Sequence, residues 1–167
     1  MPNLQDVKAA IDEFLGMQRG LSELDVSGYY ALFPSGARTD IPISGGWDSE
    51  PYPHQYKAGV YLIFSKDLEL IYIGKTDSNF GSRLYNHFKG SGACKVVQPG
   101  WSKKPHYVVN IPVERSKSHA VSPVCLEDFL INRLQPCDNT RGIIKNSEDG
   151  QNGYEITSTI ANDADWS

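Results

Sequence analysis

The chain has 167 residues, of which 40% are hydrophobic and 22% charged, with a formal net charge of −4; that is enough chain for one domain with a sizeable core. No uninterrupted apolar run approaches a membrane span, and the N-terminus lacks the basic-then-apolar form of a secretory signal. Cys94, Cys125 and Cys137 are odd in number and lack CxxC spacing, which argues against a disulfide framework or a zinc site and leaves a reducing cytoplasm as the default compartment.

The net charge hides an uneven distribution. Residues 57–145 hold 13 Lys and Arg against 7 Asp and Glu, a balance of +6, whereas residues 1–56 and 146–167 carry −5 each. A basic centre between acidic flanks suits phosphate binding, so the overall sign does not exclude a nucleic-acid partner. The same division sets the expected organisation: an N-terminal helix and Gly/Pro-rich arm over residues 1–56, a compact module over 57–145, and a polar, acidic tail over 146–167.

Residues 4–17 predict an amphipathic helix with Asn3 as its cap and Val7, Ile11, Phe14 and Leu15 near one stripe, docked on the core. Residues 30–54 are dense in Gly, Pro and Ser and read as a long loop or irregular arm that reaches into a groove or covers the core.

Residues 59–64 and 70–74 are rich in branched and aromatic side chains, and Lys66-Asp67 sits between them, which predicts a β-hairpin. If Ser65 pairs with Leu68, or Phe64 with Glu69, Tyr61 lies directly across from Tyr72 on one face. Val60, Leu62, Ile71 and Ile73 then fill the other face. Taken alone, two tyrosines across a hairpin are also simply good strand formers.

Residues 80–89 fit a helix with Phe80, Leu84 and Phe88 on its core stripe and Arg83 and His87 one turn apart on another. An Arg can grip a phosphate through its fork of N–H donors, and a neutral His can accept or pass a proton near neutral pH. A solvated helix face with two polar residues is the plain alternative. Residues 106–113 read as a third strand. Lys103-Lys104, beside Trp101 and His106, reads either as a solvated loop or as a nucleic-acid contact through charge and stacking.

A last helix is expected from Ser122 as cap and Pro123 as first helical residue. Val124, Leu130, Ile131 and Leu134 fall at i−3, i+3, i+4 and i+7 around Glu127, placing a carboxylate inside an apolar stripe. Such burial is costly unless the acid meets a cation, so Glu127 reads as a metal ligand or as the partner of a group such as Arg83. One carboxylate argues for a single hard metal ion that keeps several waters. Beyond it the tail is polar, with one strand-like run at residues 154–160.

The order Gly59-Val60-Tyr61, Tyr72-Ile73-Gly74, Arg83-x-x-x-His87, Glu127 on a following helix and Pro136-Cys137-Asp138-Asn139 resembles the GIY-YIG nuclease superfamily, over roughly half the chain. Val60 stands where the first tripeptide has isoleucine, an exchange between β-branched residues that costs a strand little. The resemblance implies an α/β (α+β) module, a small three-stranded antiparallel sheet flanked by helices, that cuts phosphodiester bonds with one divalent cation, Mg²⁺ or Mn²⁺. By the same resemblance Tyr61 is the general base or orients the attacking water. Tyr72 positions the nucleophile or steadies the scissile phosphate, and Arg83 binds that phosphate. His87 orients Tyr61 or relays its proton, Glu127 holds the metal, and Asn139 braces the site. Lys75, directly after the second tripeptide, either adds charge toward the phosphate or is an exposed strand-end lysine.

The expected function is a metal-dependent DNA endonuclease, monomer or homodimer, of restriction or defence type, since no second DNA-binding domain of recognisable type follows the module. A repair or toxin nuclease of the same fold, or a silent nucleic-acid- or protein-binding module, are the alternatives. The presence of Tyr61, Tyr72, Arg83, His87 and Glu127 together weighs against silence.

Overall fold

The computed structural model describes residues 1–20, 23–47, 49–113 and 121–139. In chain order its helices and strands are α1 (Leu4–Met17), β1 (Tyr29–Ala31), β2 (Ile43–Gly46), β3 (Gly59–Ser65), β4 (Leu70–Thr76), α2 (Phe80–Tyr85), β5 (Phe88–Lys89), β6 (Lys95–Val96), β7 (Pro105–Pro112) and α3 (Pro123–Leu134). The main sheet has five strands in the order β2-β1-β7-β3-β4, and β5 and β6 form a separate two-stranded ribbon.

Five strands correct the expected three. The antiparallel kernel β7-β3-β4 is the anticipated one, but the arm over residues 30–54 contributes to two further strands. β1 pairs antiparallel with β7, and β2 runs parallel beside β1. Neither announces itself in the chain. Tyr29-Tyr30-Ala31 is buried throughout, so it lacks alternation, and Ile43-Ser44-Gly45-Gly46 is poor in strand formers. Their ladder is extended by Ser27 N–H to Asn110 O (3.0 Å) and Leu32 N–H to His106 O (2.9 Å).

Because β3 is buried at every residue, the sheet has a core on each side. On one side Val60, Leu62, Phe64, Ile73, Val109 and Ile111 meet α1 and α3. On the other, Tyr61, Ile63, Ile71 and Val108 meet Phe80, Leu84 and Phe88.

The hairpin register differs by two residues from the expected one. Tyr61 pairs with Gly74, and Tyr72 pairs with Ile63. Leu68 takes a left-handed conformation (φ 63) in the turn, and Ser65 N–H bonds Glu69 O at 2.9 Å. The register then shifts between Ile63 and Phe64, which pairs with Leu70 and leaves Ile71 as the extra residue. That bulge turns Ile71 onto the Tyr61 side, away from Val60, Leu62 and Ile73. A slip of two preserves side-chain parity, so Tyr61 and Tyr72 still share a face, though diagonally.

Helix α2 stops at Tyr85 and does not continue to residue 89. Asn86 N–H closes it onto Arg83 O and Leu84 O, and Phe88-Lys89 leaves as a strand. The core spacing survives, since Phe80, Leu84 and Phe88 are all buried. Helix α1 has the expected span and cap: the Asn3 side chain accepts from Gln5 and Asp6 N–H, and Asp6 returns the bond. Its buried face is Val7, Ala10, Ile11 and Phe14, with Leu15 half-buried. It packs on α3 through Phe14 and Phe129 (5.2 Å between ring centroids) and an Arg133–Glu13 ion pair at 2.8 Å.

The outer edge of β4 is covered. Leu70 N–H bonds Pro2 O at 2.7 Å, and Asp138 N–H bonds Ile71 O at 2.9 Å, blunting a strand edge that would otherwise be open to pairing. Among the described residues no helix is long and apolar enough to cross a membrane. The acidic tail over residues 146–167, with its strand-like run at 154–160, lies outside the described residues.

Candidate active site

Tyr61 projects from the interior strand β3 toward α2 and is 0% exposed. Its hydroxyl lies 2.9 Å from His87 Nε2 and accepts a hydrogen bond from Arg83 Nε at 3.3 Å. A guanidinium can only donate, so the Tyr61 oxygen accepts from Arg83, while the direction of the Tyr61–His87 bond follows the imidazole tautomer. His87 is 5% exposed, and its Nδ1 has no hydrogen-bond partner among the described residues. Burial, and then the Arg83 charge, lower the His87 pKa to about 4; Gln98 opposes them weakly and makes no hydrogen bond to Nδ1. Burial, reinforced by Tyr72, pushes the Tyr61 hydroxyl well above the usual phenol range, and Arg83 offsets this only in part. At neutral pH the cluster is therefore an uncharged Tyr–His pair beside one guanidinium.

Gly74 makes room for this arrangement. A Cβ there would collide with Tyr61 Cζ and Oη, because the two residues are direct cross-strand partners. Glycine in the second tripeptide is thus space for the tyrosine of the first. Tyr72 flanks the pair, its ring centroid 6.1 Å from that of Tyr61 and 5.9 Å from that of His87.

Two residues join the site without having been singled out for it. Trp101 packs edge-on against Tyr72 at 5.5 Å and lies 5.7 Å from His87. It stands in an irregular loop, where no periodicity marks a residue as inward-facing. Asn110 is fully buried opposite Tyr61 on β7 and donates to Pro53 O at 2.8 Å. An Asn inside the run Val108-Val109-Asn110-Ile111 was its available signal.

Glu127 sits on α3, which packs against β4 and β3. The helix buries Pro123, Leu126 and Leu130, whereas Val124 is exposed and Ile131 and Leu134 are only half-buried. The carboxylate therefore lies at the margin of the apolar face, not inside a stripe. Ser122 precedes the helix as expected, but its hydroxyl caps no backbone N–H. Glu127 makes no hydrogen bond or ion pair among the described residues, and Arg83 acts on it through charge alone. Burial raises its pKa to about 7 against the pull of Lys75 and Arg83, with Asp128 and Asp77 adding to the rise. A half-buried acid left in this state fits a cation ligand. Among the described residues no group of three or more His, Cys, Asp or Glu could hold a metal ion, so an ion here would draw its remaining ligands from water and phosphate.

The supporting residues divide. Asn139 is buried, and its side-chain amide brackets Ile73, accepting from its N–H and donating to its C=O at 2.7 Å each. It fixes β4 between Tyr72 and Gly74. Lys75 pairs with Asp77 at 2.6 Å. Lys103 is ion-paired to Glu69, and Lys104 lies over the Phe33 ring at 4.0 Å, so both lysines of that loop are engaged within the chain. Tyr61, Tyr72, Arg83 and His87 thus converge on one spot, with Glu127 and Lys75 coupled by charge and Asn139 by backbone.

A tyrosine–histidine pair beside an arginine, built on a Gly-Val-Tyr/Tyr-Ile-Gly hairpin, is joined by a glutamate on α3 that has no partner among the described residues. The GIY-YIG catalytic domain family matches residues 57–141, and the chain belongs to this nuclease superfamily. Comparison with curated proteins and with solved structures gave no match.

Proposed function

We propose that the chain is a metal-dependent endonuclease that hydrolyses DNA phosphodiester bonds, in a restriction or defence setting. The observation that carries the reading is the Tyr61 hydroxyl held between His87 Nε2 and Arg83 Nε, with Glu127 unpaired nearby. A divalent cation on Glu127 would neutralise phosphate charge and acidify a bound water.

The protein groups supply the rest. Arg83 presents its guanidinium to a non-bridging phosphate oxygen and offsets the charge that builds during in-line attack. A phenol shifted upward is a poor base, so Tyr61 orients the attacking water through its hydroxyl. His87, neutral at pH 7, holds the phenol in place through its Nε2 contact. Tyr72 borders the phosphate position, and Asn139 keeps β4 in register beneath it.

Incubating the full chain with supercoiled plasmid and Mg²⁺ or Mn²⁺, with and without chelator, tests the reading, and a parallel arm with structured RNA tests the choice of DNA. Chelator-sensitive nicking that is lost in Arg83→Ala is expected. An intact plasmid under all metal conditions would leave a silent binding module.

A further inference from the structure

The β5–β6 ribbon and the exposed face of α2 form a second positively charged feature that the active site does not use. From residue 78 to residue 113 the chain has no Asp or Glu, while Arg83, Lys89, Lys95, Lys103 and Lys104 all fall within it. Arg83 belongs to the catalytic cluster, Lys103 pairs with Glu69, and Lys104 stacks on Phe33. Lys89 and Lys95 remain, and they are directly opposite each other in the ribbon ladder. Like charges in that position destabilise a strand pair, and neither lysine has an acidic partner among the described residues. Tyr85 is 57% exposed on α2, with Lys89 Nζ 5.2 Å from its ring centroid. An exposed tyrosine under the Lys89 ammonium, with Lys95 opposite Lys89 in the ladder, suits a polyanion with flat faces.

The ribbon is also rooted in the catalytic cluster. Val97 N–H bonds His87 O at 2.9 Å, so both strands of the ribbon are anchored at the residue that holds Tyr61. Lys89 follows His87 by two residues, a backbone span of at most about 7 Å, which keeps it beside the catalytic cluster.

We infer that Lys89, Lys95 and Tyr85 form a track for the nucleic-acid backbone flanking the scissile phosphate, the lysines straddling a neighbouring phosphate and Tyr85 stacking on a sugar or base. The inference rests on the nuclease reading for the position of the scissile phosphate, but its test reads binding and not cleavage. The probe is a fluorescein-labelled DNA duplex, titrated in chelator by anisotropy across a salt series. The proteins compared are the full chain, Lys89→Gln/Lys95→Gln, Tyr85→Ala, and Lys66→Gln as a control in the β3–β4 turn.

The double lysine variant should lower the slope of log affinity against log salt by about 1, since the two lysines share one phosphate at ~0.9 per phosphate contact. Tyr85→Ala should weaken binding with little change in slope, since its contact to a sugar face carries no charge. Lys66→Gln should behave like the parent chain. The double variant should melt at or above the parent temperature, since it relieves a like-charge pair. A salt slope unchanged in the double variant overturns the track and leaves the ribbon to an acidic protein surface. Plasmid cleavage by the parent chain in that case would show that the nuclease reading stands while the track alone fails.

Discussion

Tyr61 and Gly74 show how much of the site is decided by one atom of space. The phenol ring crosses the strand where a side chain on residue 74 would stand, so Gly74→Ala should displace the ring, break the His87 and Arg83 contacts, and reduce cleavage by at least about a hundredfold, of the order seen when one preorganised donor is lost. Loss of the fully buried packing around Tyr61 should also lower the urea midpoint. Wild-type cleavage in Gly74→Ala would disprove the need for that space. Glu127 makes the opposite kind of prediction. Its carboxylate is half-buried without a partner among the described residues, so Glu127→Gln should abolish metal-dependent cleavage while leaving the protein folded by circular dichroism. At pH 8 and without metal the variant should be at least as stable as the parent, since it no longer buries a charge. Retained cleavage would remove Glu127 from the chemistry.

At the scale of elements, the parts legible in the sequence were those with strong local rules. Helix α1 had a cap and a 3.6-residue stripe, and its bounds and cap are as the sequence predicts. β7 and α3 were visible from a branched run and from a Ser-Pro start. The rest turned on tertiary pairing. β1 is a strand because β7 offers it an edge, and β2 because β1 does in turn, not because residues 29–46 favour extended backbone. The hairpin register depended on a left-handed Leu68, a conformation that leucine does not advertise. Helix α2 ended early because Phe88-Lys89 pairs with Lys95-Val96 as a ribbon, yet the spacing of Arg83 and His87 still brought both to Tyr61. The family tripeptides thus marked the Tyr61 cluster more surely than the local periodicity marked its elements. One element-scale prediction concerns α1, which lies outside the matched residues 57–141 but packs on the helix that carries Glu127. Phe14→Ala should cost about 3 kcal/mol of stability, as large-to-small changes at buried aromatics do. Cleavage per folded molecule should fall as well, because α3 loses the surface that sets its position. A variant with the parent's urea midpoint would show that α1 is an appendage.

At the scale of the whole molecule, two buried groups of opposite character make stability depend on pH in opposite senses. The His87 pKa is about 4 in the folded chain against 6.5 for the free side chain. Between those values the unfolded chain holds the extra proton, so this group makes stability rise with pH up to about 6.5 and flat above it. The Glu127 pKa is about 7 in the folded chain against 4.5 for the free side chain. Here the folded chain holds the extra proton, so stability falls as pH climbs from 4.5 toward 7. The two contributions oppose each other across the window from 4.5 to 6.5, and shifts of similar size leave the metal-free parent nearly flat there with respect to this pair. Glu127→Gln removes one side of the balance. Its urea midpoint in chelator should therefore climb steadily from pH 4 to 6.5, where the parent's does not, by an amount on the order of 3 kcal/mol for a shift of the His87 size. Cation binding at Glu127 competes with the same proton, so added Mg²⁺ should stabilise the parent more at pH 8 than at pH 6 and leave Glu127→Gln unmoved at both. Parallel midpoint profiles for the two chains in chelator would mean that Glu127 is not protonated in the fold, and with that the case for it as a carboxylate waiting on a cation would be lost.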